Sequence, residues 1–195
     1  MRWTEKNFVR ALRLLLHPAL GKVNIFVDTQ IESGVSWPPR LAKALACSKV
    51  LIPILSRNYF QGDWCCLELA LMLDREQKTG FRCQANPSGL ILPIVIDDGD
   101  CFPPEISAIQ SKQQFHEFAN PDMCLGTPTQ ERFTGAIKAW TPDIEMALQH
   151  APPFDPNWEH VAHDQFLNLF KIRTQTQTTV PRLSLAPIDS QNPRP

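Results

Sequence analysis

The sequence predicts an α/β protein with a parallel sheet that is covered by helices on both faces. Three apolar runs, at residues 23–27, 50–55 and 90–96, have the length and composition of strands. Segments with the apolar spacing of helices separate these runs. Strands that alternate with helices are typical of parallel sheets, whose strands are apolar throughout because both faces are buried.

The first third of the chain sets this pattern. Apolar residues at helical spacing predict a helix over residues 5–16, which Pro18 and Gly21 end. Strand 23–27 follows and leads into a polar loop over residues 29–34. This stretch therefore predicts one helix, one strand and an exposed loop.

The remaining elements are predicted from proline positions and apolar spacing. They are helix 38–47, helix 67–75, a polar loop at 80–89, a short strand at 114–115, helix 130–140 and helix 142–150. Proline is tolerated in the first turn of a helix, so Pro38 and Pro39 are compatible with a helix start. Thr141 before Pro142 has the pattern of an N-cap, which predicts a new helix at that point.

The composition changes twice after this predicted domain. Residues 1–150 form the α/β domain, and a proline-rich break then leads to an amphipathic helical appendage at residues 151–173. Residues 174–195 are rich in Thr, Gln, Ser and Pro, which bury too little apolar surface to order a chain. We therefore expect a disordered tail there.

Charge and hydropathy exclude several classes of function. The net charge of −1 argues against a nucleic-acid surface, which needs concentrated Lys and Arg. No apolar run approaches the roughly 20 residues that cross a bilayer, so no membrane association is expected. The N-terminus lacks the apolar core of a signal peptide. The six cysteines form no Cys-x-x-Cys pair, which favours reduced thiols and a cytoplasmic location.

The sequence offers two candidate metal motifs, and neither is convincing. The acidic turn at residues 97–100 does not match a calcium-binding loop, and acidic turns after strands are usually solvated. His160 and His163 have the spacing of ligands on one helix face but lack a third ligand. We therefore expect no metal site.

Candidate functional residues follow the strands. Asp28 and Ser56 come directly after two of them, and ligands of parallel sheets bind beyond the carboxyl ends of strands. Trp64 and Glu68 are four residues apart where a helix begins, so they share one helix face. The structural alternatives are that Glu68 complements the helix dipole, that Trp64 anchors the helix in the core, and that Ser56 or Asp28 caps a turn.

The order of these motifs resembles a TIR domain (Toll/interleukin-1 receptor type) of the bacterial NAD-cleaving kind. The resemblance covers residues 5–150. It depends on Ile-Glu-Ser-Gly at 31–34 with Trp37, on the block Ser56-x-x-Tyr59 and Asp63-Trp64-Cys65-x-x-Glu68-Leu69, and on strand 92–96. The block from Ser56 to Leu69 is the most specific part.

This resemblance implies both a fold and an activity. The fold is flavodoxin-like, with five parallel strands. The activity is cleavage of NAD at the nicotinamide–ribose bond, which releases nicotinamide and ADP-ribose or its cyclic form, with a role in immune defence. Glu68 corresponds to the catalytic carboxylate. The resemblance and the residue chemistry together give Trp64, Asp28, Ser56, Tyr59 and Trp37 as substrate-binding residues.

The resemblance also implies partners and alternatives. NAD is a substrate, so no cofactor is expected, and other TIR domains are expected partners through the loop at residues 29–37. A TIR domain begins with a strand that this sequence lacks, which predicts a segment upstream of Met1. The first alternative function is a non-catalytic module for TIR–TIR interaction. The second is a phospho-receiver domain, which needs an acidic pair and a lysine that are not found here.

Overall fold

The computed structural model describes residues 3–27, 37–56, 58–96, 102–107, 109, 115–120, 123 and 125–177. For residues 37–38, 104–105 and 169–177 it describes the backbone alone. Asp28, the predicted loop at 29–34 and the acidic turn at 97–100 therefore lie outside the described residues.

The described elements alternate between helices and a small parallel sheet. In chain order they are a π-helical turn Thr4–Val9, α1 Arg10–Leu20, α2 Trp37–Cys47, β1 Ile54–Leu55, a 3-10 turn Tyr59–Gln61, α3 Asp63–Lys78, β2 Ile94–Val95, α4 Pro104–Ser107, a 3-10 turn His116–Phe118, α5 Pro128–His150 and α6 Pro156–Gln177. The predicted α/β class is confirmed.

The sheet lies where the two most apolar runs meet. β1 and β2 pair in parallel, with Ile54 opposite Ile94 and Leu55 opposite Val95. An isolated bridge between Leu51 and Ile91 extends the pairing toward the start of both runs. The predicted strands at 50–55 and 90–96 are therefore confirmed with shorter bounds.

The far edge of β2 receives a third segment. The Phe115 N–H donates to the Val95 carbonyl at 2.6 Å, at the position of the short strand predicted for 114–115. Gln114 lies outside the described residues. The order of segments across the sheet is therefore β1, β2 and then Phe115.

The strand predicted at residues 23–27 is wrong for the described structure. These residues have no regular secondary structure and pair with no described strand. Residues 25–27 line a cavity together with residues 51–54. A strand exists only through ladder hydrogen bonds with a neighbour, and an apolar sequence alone does not supply one.

Both predicted proline boundaries are wrong. α1 continues through Pro18 and ends at Gly21, whose φ of 68° is the left-handed conformation that glycine tolerates. The carbonyl that Pro18 leaves without a donor belongs to Leu14, which is 65% exposed and so within reach of water.

The second error concerns α5, which is one helix from residue 128 to 150 with Pro142 inside it. Thr141 does not cap a new helix, because its hydroxyl donates to the Ile137 carbonyl at 3.1 Å. Trp140 and Ile144 are buried on either side of the proline. Their packing holds α5 against the core on both sides of Pro142.

The hydrophobic core has two parts, one on each face of the sheet. One part includes residues of α2, α3 and α6, and the other includes residues of α1 and α5. Neighbouring residues of β2 enter opposite parts, since Ile94 packs with the second and Val95 with the first. This alternation follows from the two-residue period of a strand.

A buried carboxylate fixes α3 to β2. Glu76 is 1% exposed, and its Oε1 accepts from the backbone N–H groups of Leu90 and, at 2.9 Å, Ile91. Its Oε2 accepts from Nε of Arg82, whose Nη2 donates to the Ile91 carbonyl at 2.7 Å. The charge is therefore paired and hydrogen-bonded, as burial requires.

The last helix, α6, extends to Gln177, four residues past the predicted boundary at 173. Its apolar side packs against α2 and α3. The remaining tail, residues 178–195, lies outside the described residues, so its predicted disorder stays a prediction.

Candidate functional site

A cavity of about 550 Å³ is lined by residues 25–27 and 51–54. Phe8 and Leu12 from the N-terminal helical region and Leu45 of α2 line it as well. This volume is within the range of small-molecule sites, which are mostly apolar with a few polar groups.

Polar groups line part of this cavity at the carboxyl end of β1. Ser56 directly follows the strand, and its carbonyl accepts from the Tyr59 N–H at 3.0 Å, which turns the chain back toward the cavity. α3 then begins at Asp63 and places Cys65 and Glu68 on one face, three residues apart. Ser56, Tyr59, Cys65 and Glu68 all line the cavity.

Tyr59 is a neutral hydrogen-bonding group in this rim. Its hydroxyl donates to the Cys65 carbonyl at 3.3 Å. Burial raises the pKa of Tyr59 above its ordinary value, and the nearby carboxylate of Glu68 raises it further. A neutral phenol therefore lies close to a carboxylate at the edge of an apolar cavity.

Trp64 does not line this cavity. Its ring stacks on Phe166 of α6, with ring centroids 5.7 Å apart and an angle of 5° between the planes. This stack is the contact that the structural interpretation of Trp64 predicts, in which the ring anchors the start of α3. Asp28 and the side chain of Trp37 lie outside the described residues, and the backbone of Trp37 begins α2.

Sequence reasoning missed four polar or thiol-bearing lining residues, one of which is Ser48, directly after α2. Cys65 could have been found, since it precedes Glu68 by three residues on the same helix. Thr4 and Glu5 line the cavity from the π-helical turn, and no local sequence signal relates them to α3. Glu5 adds a second carboxylate to the lining of the cavity.

A larger cavity of about 720 Å³ has different chemistry. It lies near the starts of the extended segments, beside Val23 and Lys49, and its charged lining residues are all cations: Lys22, Arg40, Lys43 and Lys49. None of its lining residues carries a carboxylate, although its larger volume alone would favour this cavity as a substrate site. The smaller cavity is the better candidate for chemistry on a sugar, because it is lined by Glu68 and Tyr59.

The described part of the chain has neither a candidate metal site nor a membrane-spanning helix. No group of three or more His, Cys, Asp or Glu residues there has the arrangement of a metal site. In the H-x-x-H pair, Nδ1 of His163 lies 3.6 Å from Oδ1 of Asp164. No described helix is long and apolar enough to cross a membrane.

Comparisons with known proteins point to one family. A family model described as "TIR domain" matches residues 1–123. The chain is 25% identical over 142 residues to "Probable disease resistance protein RPP1" of Arabidopsis thaliana, which covers 72% of this chain and 10% of that protein.

Two more relatives come from the same plant. "Protein SUPPRESSOR OF npr1-1, CONSTITUTIVE 1" is 30% identical over 104 residues, 53% of this chain and 6% of that protein. "Disease resistance protein TAO1" is 23% identical over 148 residues, 75% of this chain and 11% of that protein. The chain thus spans about a tenth or less of the length of these relatives. No solved structure matches it significantly.

Proposed function

Because this chain belongs to the TIR domain family, we propose that it is an NAD glycohydrolase whose catalytic carboxylate is Glu68. The observation that carries the proposal is the position of Glu68. It lines an apolar cavity together with Ser56 and Tyr59, at the carboxyl end of a parallel strand. Ligands of open parallel sheets bind at such ends.

The proposed reaction needs little acid catalysis. The bond from the ribose C1′ to the nicotinamide nitrogen breaks, and nicotinamide leaves as a neutral base because its ring was cationic. The ribose passes through an oxocarbenium-like state, which the Glu68 carboxylate would stabilise while it holds the ribose hydroxyls. Water then bonds to C1′ and loses a proton, which yields ADP-ribose, or an internal nucleophile closes the cyclic product.

The other site residues would bind and orient the substrate. Tyr59 is neutral and can donate to a ribose oxygen, and Ser56 can do the same from the end of β1. We also assign substrate contacts to Asp28, Trp37 and Trp64 by resemblance. Trp64 would make its contact with the accessible part of the indole while the ring stays stacked on Phe166.

The biological setting is proposed from the relatives, whose names describe plant disease resistance. NAD cleavage would act in immune signalling, with other TIR domains as partners through the loop at residues 29–37. The second candidate function is a non-catalytic interaction module. One observation favours this module: the ring of Trp64, an expected substrate contact, packs on Phe166 and does not line the cavity.

Nicotinamide release from NAD tests the two functions. We expect the purified chain to release nicotinamide from NAD, and Glu68→Gln to reduce the rate about 100-fold or more. Asp74→Asn is the matched control, because this exposed carboxylate lies on the same helix and pairs with Lys78. Equal rates for Glu68→Gln and the parent would refute the catalytic role and favour the interaction module.

A further inference from the structure

Helix α6 lies beyond the region that matches the family model and packs mainly against α2, and also against α3. Trp158, Ala162 and Phe166 recur every four residues, so they form one face of α6. Ala162 and Phe166 are buried in the core part that also contains α2 and α3. This face is therefore an integral part of the domain.

Helices α3 and α6 run in opposite directions and touch at both ends. At the start of α3, the Trp64 ring stacks on Phe166. At its end, the guanidinium of Arg75 and the ammonium of Lys78 lie 5.8 Å and 5.3 Å from the centre of the Trp158 ring. Both are cation–π distances.

The start of α3 lacks a side-chain cap. Its N-cap is Gly62, which has no side chain and so makes no capping hydrogen bond. The first turn carries Trp64 and Cys65, and Glu68 follows one turn later. The Phe166 ring is completely buried and stacks on Trp64, so a distant part of the chain packs directly against this turn.

We propose that α6 is a positioning element for Glu68, because the Phe166–Trp64 stack fixes the first turn of α3 at the edge of the cavity. Trp64 and Glu68 are four residues apart, so a shift of that turn moves the carboxylate with it. The same turn supplies the Cys65 carbonyl that accepts from Tyr59. The consequence for catalysis rests on the proposed function, whereas the positioning itself does not.

Amide hydrogen exchange of residues 66–69 tests the positioning without any activity assay. Phe166→Leu and Trp64→Leu keep apolar bulk but remove the aromatic stack. Each is expected to speed exchange of these amides roughly two- to tenfold, which is the contribution of an aromatic pair. The double variant is expected to exchange no faster than the faster single variant, since both remove one contact.

The matched control is Val161→Ala, on the side of α6 that is exposed. It should leave exchange at residues 66–69 unchanged. Unchanged exchange in Phe166→Leu, or effects that add fully in the double variant, would overturn the proposal. Faster exchange of α1 and α5 to the same degree would also overturn it, because that indicates general destabilisation.

NAD turnover then separates this inference from the proposed function. If both hold, Phe166→Leu lowers kcat more than it raises KM, because a displaced carboxylate affects the transition state most. Trp64→Phe, which keeps a ring on Phe166, should restore most of the turnover that Trp64→Leu loses. Local exchange that rises in a chain with no NAD cleavage would support the positioning and refute the proposed enzyme.

Discussion

Glu76 offers a quantitative test of how α3 is held against the sheet. Its side chain is 2% exposed, and its two oxygens have different partners. Oε1 accepts from the N–H groups of Leu90 and Ile91, whereas Oε2 accepts from Arg82. Glu76→Ala removes all three acceptors at once.

The expected cost follows from these partners. Each buried N–H left without an acceptor costs about 1–3 kcal/mol, whereas Arg82, at 27% exposed, can partly rehydrate. Glu76→Ala should therefore lower the free energy of unfolding by about 3–5 kcal/mol. Glu76→Gln can keep its oxygen at the Oε1 position, but its amide NH2 then faces the Nε–H of Arg82, so the charge and this hydrogen bond are both lost. Because the two backbone N–H groups keep their acceptor, we expect a smaller loss of about 2 kcal/mol.

Urea denaturation followed by circular dichroism measures both losses. With a slope of about 2 kcal/mol per molar urea, Glu76→Ala should lower the midpoint by about 2 M. Asp74→Ala is the matched control, because its exposed pair with Lys78 should contribute only about 0.5 kcal/mol. A midpoint for Glu76→Ala close to that of Asp74→Ala would refute the reasoning that this carboxylate joins α3 to the sheet.

Three further changes have distinct expected outcomes. Because the pKa of Tyr59 is raised by folding, the unfolded chain loses its proton first, and Tyr59 reduces stability as the pH rises above 10. Between pH 10 and 11, the unfolding free energy of the parent should fall by about 1 kcal/mol more than that of Tyr59→Phe. Equal falls in the two proteins would contradict the raised pKa of Tyr59. Phe115→Ala should cost about 3–5 kcal/mol of unfolding free energy because the ring is fully buried, whereas Phe154→Ala, at 50% exposed, should change it by less than about 0.5 kcal/mol. In thermal melts, Gly21→Ala should destabilise by about 1 kcal/mol because φ is 68°, whereas Gly135→Ala, inside α5 with open space around it, should stabilise by about 0.5–1 kcal/mol. Equal effects of the two glycine substitutions would show that backbone conformation does not decide the outcome.

The part of the site that sequence reasoning could predict is local. Ser56, Tyr59 and Glu68 lie within 13 residues that leave one strand and begin one helix, so their convergence needs only a strand, a turn and helical spacing. The strand character of residues 50–55 and 90–96 was also predictable locally, because each run is apolar throughout. That these two runs are neighbours in the sheet is seen only in the structure.

Most of the failures involve distant contacts. The strand at residues 23–27 needs a partner, and its own sequence cannot show whether that partner is present. Pro142 stays inside α5 because Trp140 and Ile144 on either side of it are buried, whereas Pro18 stays inside α1 because the carbonyl that it leaves without a donor belongs to an exposed residue, Leu14. Glu5 reaches the cavity from a separate turn, so only the folded structure relates it to Glu68.

The position of Glu68 depends on the same kind of distant contact. α3 is held at Trp64 by α6, at Arg75 by the Ser48 carbonyl 2.7 Å away after α2, and at Glu76 by the residues before β2. Trp64 and Arg75 lie eleven residues apart and therefore on nearly the same side of α3, whereas Glu76 lies about a third of a turn away. The three contacts thus hold the helix from two sides. Glu68 lies between the first and second of them, which explains how a partly exposed carboxylate can keep a defined place beside an open cavity.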